Sequence, residues 1–478
     1  MKKTIFALTI LLGVIACERF DTQQQEAALT SATACANPAD YGAIPDDGID
    51  DGPAFRAMYA SPGVMHGCAG AGHWKLGPYR LASVTLHQGQ TLTGVGPATV
   101  FDMTGDAGGG AWYGFDVQGG QLRSFSMNQI GIVNPDNAGQ NHMIQISAGD
   151  SAVVSDVVLG PGGGPGFGDC IRLLGTDSTH QVTRAVISHV VALQCSRDGI
   201  GLQHDVTSVS VVGSVFESIS DQDLDYEPSS VGPVRGTFLG NIFVHASANH
   251  AYAITLSDSD GGNETIFSGN VVINGNVQMT RGDNVAFVGN TILGDPVAST
   301  TTLGVIRNST GLRIEGNYIM RPTSAPVANV VVLNQNNGGS PSNATIASNR
   351  IVQGTAAYAL YLEGVSRTIV NANNITMLAP WSAGYAVACN SIATSCDLLT
   401  IVANVIDSPA GTTKGAVYLG GYTTGAIPIG RALVAGNVGG GFTNSVACGG
   451  PFTGPVRIDD NLLGGTIACP GASSGTNL

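Results

Sequence analysis

Apolar positions along this chain recur in short alternating runs rather than at helical spacing. The recurring unit is apolar, any residue, small, Asn, any residue, apolar. It reads FLGNIF (238–243), FSGNVV (267–272), FVGNTI (287–292), IEGNYI (314–319), IASNRI (346–351), VNANNI (370–375), IVANVI (401–406) and IDDNLL (458–463), and VAGNVG (434–439) keeps all but its last position. Earlier copies are read with Asn128, Asp156, His189 and Ser214 in the Asn position. Successive positions lie 20 to 33 residues apart. A period of that size, built from β-branched runs and Gly/Asn turns, predicts a solenoid of short strands, each paired with its counterpart one rung away. The expected fold is all-β, a right-handed parallel β-helix. Thirteen such rungs, at about 4.8 Å each, give a rod of roughly 60 Å. The small-Asn pair is expected at a tight bend, with Asn tolerating the left-handed conformation and its amide bonding up and down the stack. A sandwich or a propeller is the competing architecture.

A second apolar pair follows most copies: Ile171/Leu173, Ile200/Leu202, Leu224/Tyr226, Ile254/Leu256, Leu360/Leu362 and Val417/Leu419. Period-two alternation turns these inward and their neighbours outward. The pair aligns one strand of every rung.

The first residues change the picture of where the chain works. Met1-Lys2-Lys3 precedes an apolar run from Thr4 to Ala16, too short to span a bilayer, that ends Val14-Ile15-Ala16-Cys17. This resembles a bacterial lipobox. The resemblance implies a leader over residues 1–16, lipidation of Cys17, and an outer-membrane lipoprotein facing the periplasm or the cell surface, attached by the lipid alone. Residues 17–34 read as a polar tether. The body is expected over 35–478, with an N-terminal cap over 35–100 and coils from about 100 to 465. Setting Cys17 aside leaves eight cysteines, and an even number fits an oxidising compartment. Eight cysteines allow 105 pairings. The simplest joins neighbours: Cys35–Cys68, Cys170–Cys195, Cys389–Cys396 and Cys448–Cys469.

Charged residues make up 11% of the chain, the formal net charge is −14, and only Lys75 and Lys414 follow the leader. That balance excludes a basic nucleic-acid face. It also repels a polyanion at long range, so an acidic polymer would need arginines or a bound cation for local capture.

Residues 40–103 carry Tyr41-Gly42-Ala43, then Asp47-Gly48-Ile49-Asp50-Asp51, then Pro78-Tyr79 and Leu92-Thr93-Gly94-Val95-Gly96. This run resembles the opening of the pectate-lyase-like superfamily, which includes rhamnogalacturonases, epimerases and phage tailspikes. The resemblance implies the β-helix and an N-terminal capping helix, here over Pro53–Met58 with Asp50 and Asp51 as its cap. It says little about chemistry. The Asn-Thr-Asp, Asp-Asp, Gly-His-Gly and Arg-Ile-Lys blocks of polygalacturonases are missing.

The densest ionisable cluster is Asp221-Gln222-Asp223-Leu224-Asp225-Tyr226-Glu227-Pro228. With Leu224 and Tyr226 inward, Asp223, Asp225 and Glu227 are expected to project together from one strand, about 7 Å apart. Gly199, Gly201 and Gln203 one rung earlier would leave a shallow trough beside them, with Arg172 a rung further back. The Asp-Tyr-Glu-Pro stretch also resembles an Ile-Asp-Ile/Phe-Glu-Pro run of polysaccharide-active β-helices, which carries over to Asp225, Glu227 and Pro228 only. Three readings stay open. A protonated carboxyl and an ionised one would give a glycan hydrolase. A Ca²⁺ held by Asp223, Asp225 and Glu227 would give a lyase, with Arg172, Arg197, His204 or His250 as base. Carboxylates that merely bind a structural cation or face water would leave a non-catalytic adhesin, glycan-binding or envelope protein. The candidate catalytic set is Asp223, Asp225, Glu227, His204 and Arg172. Arg197, Gln203, His250 and Tyr252 are the candidate substrate contacts, and a polysaccharide is the expected partner. The sequence leaves the oligomeric state open.

Overall fold

The computed structural model describes residues 35–474 apart from 81, 105–111, 130–140, 148, 163–167, 176–180, 196, 218, 220, 228–234, 246–251, 257–263, 281, 307–308, 326–327, 335–340, 355–357, 379–383, 392–393, 409–412, 421–427 and 451. The leader, Cys17 and the tether lie outside the described residues, as does His250.

The described chain winds into a right-handed parallel β-helix. Two long sheets run through 15 and 29 strands, with a short third pair, Gly282–Asp283 and Ser309–Thr310, and every strand pairing is parallel and joins adjacent turns. The larger sheet holds two strand columns per turn, such as Arg235–Leu239 and Ile242–Val244, which meet at the Asn bend. Coils already start at His66–Cys68 and run to Ser473–Ser474, so they extend further at both ends than the sequence pattern indicates. The inward side chains form one continuous core, in which Phe238, Phe267 and Phe287 stack on successive turns with ring centroids 4.6 and 5.0 Å apart.

The bend explains the repeat. Asn317 is representative: its Nδ2 donates to Phe287 O (2.8 Å) and Asn349 Oδ1 (2.9 Å), while its Oδ1 accepts from Asn290 N (2.8 Å) and Asn290 Nδ2 (2.9 Å). The same pattern links Asn241, Asn270, Asn290, Asn317, Asn349, Asn373, Asn404, Asn437 and Asn461 into a buried ladder. The left-handed residue is the one before each Asn, as at Gly240, Gly316 and Ala403 (φ 62°, 65° and 55°), so the Asn itself supplies the amide rather than the strained backbone. Strand register corrects the early copies. The left-handed residues there are Ser124, Asp156 and His189, and the ladder position falls on Phe125, Val157 and Val190. Asn128, Asp156 and His189 therefore do not occupy it, because these first rungs fill the bend with apolar volume instead of an amide. Asn317→Ala removes a donor–acceptor set buried across three rungs and leaves Asn290 N and one Asn290 Nδ2 proton without their acceptor. The expected loss is on the order of 3 kcal/mol in denaturant unfolding, with strand content unchanged by circular dichroism.

Helix Gly52–Ala60 closes the N-terminal end, burying Phe55 and Met58, with Phe55 edge-on to Trp74 and Phe101 at 5.7 Å each. Asp51 stands at the N-cap but gives the helix no side-chain bond. Its carboxylate accepts from Ile44 N (3.0 Å) and Lys75 N (2.9 Å), tying the cap to the first rungs. Asp50 accepts from Gly52 N (2.9 Å) and Gly77 N (2.8 Å). The four disulfides join Cys35–Cys68, Cys170–Cys195, Cys389–Cys396 and Cys448–Cys469, the neighbour pairing expected from the sequence. No helix among the described residues is long and apolar enough to cross a membrane.

Candidate functional site

The 15-stranded sheet carries the ionisable cluster on its outer face. Its register runs Asp116, Gln145, Arg172, Gly201, Asp225, Thr255 and Gln278, one residue per rung. Strand Leu224–Tyr226 buries Leu224 and Tyr226 inside the coil, so Asp225 faces out, as alternation predicts. Glu227 ends the strand and is exposed. Asp223 does not join them. The strand is only three residues long, so alternation has no hold on the residue before it. Asp223 is fully buried in the preceding turn, with Oδ2 3.6 Å from His245 Nδ1. Burial pushes its carboxyl up to about 6 against the opposing influence of His245.

The acids that surround Asp225 come from two other rungs. Arg197 is the hub: its Nε lies 2.7 Å from Asp198 Oδ2 and 3.1 Å from Asp169 Oδ1, and its Nη2 lies 3.9 Å from Asp225 Oδ2. Asp169 is two residues before strand Ile171–Leu173, and its carboxyl folds back over the outer face against Gly201. A Cβ on Gly201 would stand 2.5 Å from Asp169 Oδ2. The trough expected at Gly199 and Gly201 is therefore filled, by the Asp169 carboxyl at Gly201 and by the Asp223 backbone at Gly199. Three carboxyls share one guanidinium. Burial pushes Asp169 and Asp198 up, and at Asp198 the like charge of Asp169 adds to it, while Arg197 pulls both down. Burial works against the Arg197 charge, but Asp169 and Asp198 more than offset it and hold the guanidinium protonated.

Asp225 is pushed up to about 7, by burial first and then by the like charges of Asp198 and Glu227. A hydrogen-bond count agrees. Thr255 Oγ1 lies 2.9 Å from Asp225 Oδ1 and also bonds Gln222 Oε1. Gln222 Oε1 only accepts and a hydroxyl has one proton, so both contacts are satisfied when Asp225 brings a proton of its own.

Arg172 flanks the cluster. Its Nη1 meets His142 Nε2 at 3.0 Å, and its Nη2 donates to Gln203 Oε1 at 2.6 Å. His142 accepts from Asp169 N at 2.9 Å through Nδ1, and its pKa is held well below the ordinary value by burial, then by Arg172 and Arg197. Of the residues singled out from sequence, Arg172, Arg197, Gln203, Asp225 and Glu227 thus gather here. Tyr252 is half-buried at the start of strand Tyr252–Leu256, in register with Asn276. His204 is exposed beyond Gln203, and none of the contacts that build the cluster involves it. The Ca²⁺ set also fails to form: among the described residues, no group of three or more His, Cys, Asp or Glu side chains is arranged to hold a metal ion, and Asp223 turns away from Asp225. Sequence reasoning missed Asp169, Asp198, His142, Gln222 and Thr255 as partners. The available signal was cysteine spacing, since Cys170 follows Asp169 and Cys195 shortly precedes Arg197 and Asp198.

The raised carboxyls set a pH dependence. Asp225, Asp223 and the Asp169–Asp198 pair bind protons more tightly folded than unfolded. Their contribution to stability is complete below the unfolded value near 4 and is lost as pH rises through about 6 to 7. His142 acts in the opposite sense, because its unfolded form takes up a proton that the fold refuses, but the acids outnumber it. The melting temperature is expected to be higher at pH ~5 than at pH ~8 in calorimetry, and a flat or inverted profile would refute the assignment.

No family model matches the chain, and no curated protein does. Among solved structures, the A-module of the Azotobacter vinelandii mannuronan C-5 epimerase AlgE4 is 15% identical over 92% of this chain and 99% of that one, with a TM-score of 0.37. The catalytic unit of the GH87 alpha-1,3-glucanase of Streptomyces thermodiastaticus is 15% identical over 93% and 69%, with a TM-score of 0.37. The tailspike protein of E. coli bacteriophage HK620, in complex with a hexasaccharide, is 11% identical over 90% and 77%, with a TM-score of 0.45. Identity and score are both low, so the chemistry rests on the side chains themselves.

Proposed function

We propose that this chain is a polysaccharide-active enzyme of the cell envelope that hydrolyses a glycan at Asp225 and Glu227. The carrying observation is the outward Asp225 carboxyl, pushed up to about 7 by burial and by its acidic neighbours, with the exposed Glu227 carboxyl just past the end of its strand. Asp225 protonates the leaving glycosidic oxygen. Glu227 takes a proton from the water that attacks the anomeric carbon from the other side. Alternate strand residues lie about 7 Å apart, which suits the water-admitting separation of an inverting hydrolase better than the closer pair of a retaining one. Burial and the like charges of Asp198 and Glu227 keep the Asp225 proton on near neutral pH, against the pull of Arg197. Arg172 meets only the neutral groups His142 and Gln203 among the contacts above, so its charge is available to a carboxylate on the glycan. That favours an acidic, pectin-like polymer. Lyase chemistry has less support: it needs a base, arginine is a poor one, and Asp169 and Asp198 hold the proton on Arg197.

The test is a panel of acidic and neutral polysaccharides incubated with the protein, with and without Ca²⁺. New reducing ends without the absorbance of unsaturated sugars are expected. Unsaturated products would replace hydrolysis with elimination. Binding without any cleavage would make the protein a glycan-binding β-helix. Glu227→Gln removes a negative neighbour of Asp225, so it should lower the Asp225 pKa as well as abolish water activation, read as loss of turnover with substrate binding retained.

A further inference from the structure

The Cys170–Cys195 bridge joins the two stretches that supply the acid cluster. Cys170 follows Asp169 in the chain, and Cys195 precedes Arg197 and Asp198 by two and three residues. Both half-cystines are buried, with Cα atoms 5.6 Å apart. The segment from Gln194 to Gly199 lies outside any strand, between Val191–Leu193 and Ile200–Leu202, and Gln194 takes a left-handed turn at φ 53°. Backbone bonds tie it to the following rung through Gln194 N to Glu217 O, Gly199 N to Gln222 O and Asp221 N to Arg197 O (3.0 Å each), and to the Asp169 rung through Cys170 N to Asp198 O (2.9 Å) and Ile171 N to Gly199 O (3.1 Å), both beside the bridge. Yet this segment carries the hub Arg197 and an acid pressed against Asp169 of the previous rung. Asp169 and Asp198 are two like groups pressed together in a dry place, each resisting ionisation beside the other, and that mutual repulsion pushes the segment outward. The bridge opposes that push at the residue next to the acid on one side and within two residues of the arginine on the other. The other three disulfides differ. Cys35–Cys68 and Cys448–Cys469 lie at the two ends of the coil, and Cys389–Cys396 lies beside Asp397, whose partner Arg431 is exposed.

We infer that the Cys170–Cys195 disulfide is a positioning element of the acid cluster, holding Arg197 and Asp198 against Asp169 so that Asp225 keeps its environment. The inference rests on Asp225 as the acid of the proposed reaction, but its test does not require turnover. The readout is the carboxyl titration of Asp225 in full-length protein labelled with ¹³C-Asp, its resonance assigned by loss in Asp225→Asn. Three proteins are compared: wild type, Cys170→Ser/Cys195→Ser, and the control Cys389→Ser/Cys396→Ser. Opening of the segment hydrates Asp225, so its midpoint should fall by about one pH unit or more in the first variant and stay put in the control. The alkaline limb of any cleavage profile should move down with it. An unchanged midpoint in a folded Cys170→Ser/Cys195→Ser protein overturns the inference. If the serine pair does not fold, Cys170→Ala/Cys195→Val fills the buried gap with apolar volume and carries the same comparison. Failure of both to fold would assign the bridge to the fold and also overturn it. A wild-type protein that cleaves no glycan sinks the proposed reaction through the polysaccharide panel, whereas the titration decides the role of the bridge by itself.

Discussion

Asp225→Asn should lose glycan cleavage by about 10³-fold, within the range for removal of a general acid, while becoming more stable at alkaline pH. The two effects share one cause. Asp225 sits on the outer face almost closed to water, between Asp198 and Glu227, and its carboxyl stays protonated up to about 7. Above that pH the fold must hold a further buried charge beside a guanidinium that already faces Asp169 and Asp198. The amide keeps the shape and can donate its N–H to Thr255 Oγ1 in place of the carboxyl proton, but never ionises. The gain should be on the order of a few kcal/mol at pH ~8 and be clearly smaller at pH ~5, vanishing only below about pH 4, where the carboxyl is neutral in the unfolded chain as well. Thermal melts at the two pH values measure it, alongside reducing-end assays on whichever glycan the panel identifies. A variant that cleaves normally removes Asp225 from the chemistry. One that is inactive but no more stable at pH ~8 shows that the carboxyl is not held neutral.

Much of this architecture is legible in the sequence because a solenoid repeats its solution. The Asn recurrence reports a buried amide ladder, and the inward pairs Ile200/Leu202 and Leu224/Tyr226 fix which way Asp225 faces. Neighbouring cysteines pair because coils bring nearby residues together on adjacent rungs. The site is less legible, since alternation operates only within a strand. Leu224–Tyr226 and Ile171–Leu173 have three residues each, so Asp223 and Asp169 lie in the turns before them, where the chain direction is set by packing. Asp223 turns in toward His245, and Asp169 folds over Gly201. The same limit explains the early bends. Gln121–Gln129 and Ala152–Gly162 are long strands that bend internally at Ser124 and Asp156, so counting apolar residues alone puts the corner at the wrong residue.

Gly201→Ala should then be the smallest change that dismantles the cluster. Gly201 lies in strand Ile200–Leu202 without a left-handed φ, so alanine suits its backbone and adds one outward methyl. That methyl would stand 2.5 Å from Asp169 Oδ2 and 3.0 Å from its Cγ, closer than real contacts allow. Either Asp169 leaves Arg197, or the rung shifts and carries Arg172 and Asp225 apart. In both cases the Asp169–Arg197 contact is loosened, and Arg197 becomes free to pair more closely with Asp225 and draw its pKa down. Misplacement on this scale is expected to cost about 10²-fold in kcat with little change in KM, and about 1–3 kcal/mol in stability. Gly304→Ala is the matched control three rungs beyond Asp225 on the same face, where the nearest atoms to an added Cβ, on Thr301, are 3.9 Å away. It should leave both turnover and unfolding unchanged. Equal behaviour of the two alanines would mean that the Asp169 carboxyl does not rest on Gly201, and the arrangement around Arg197 would have to be redrawn.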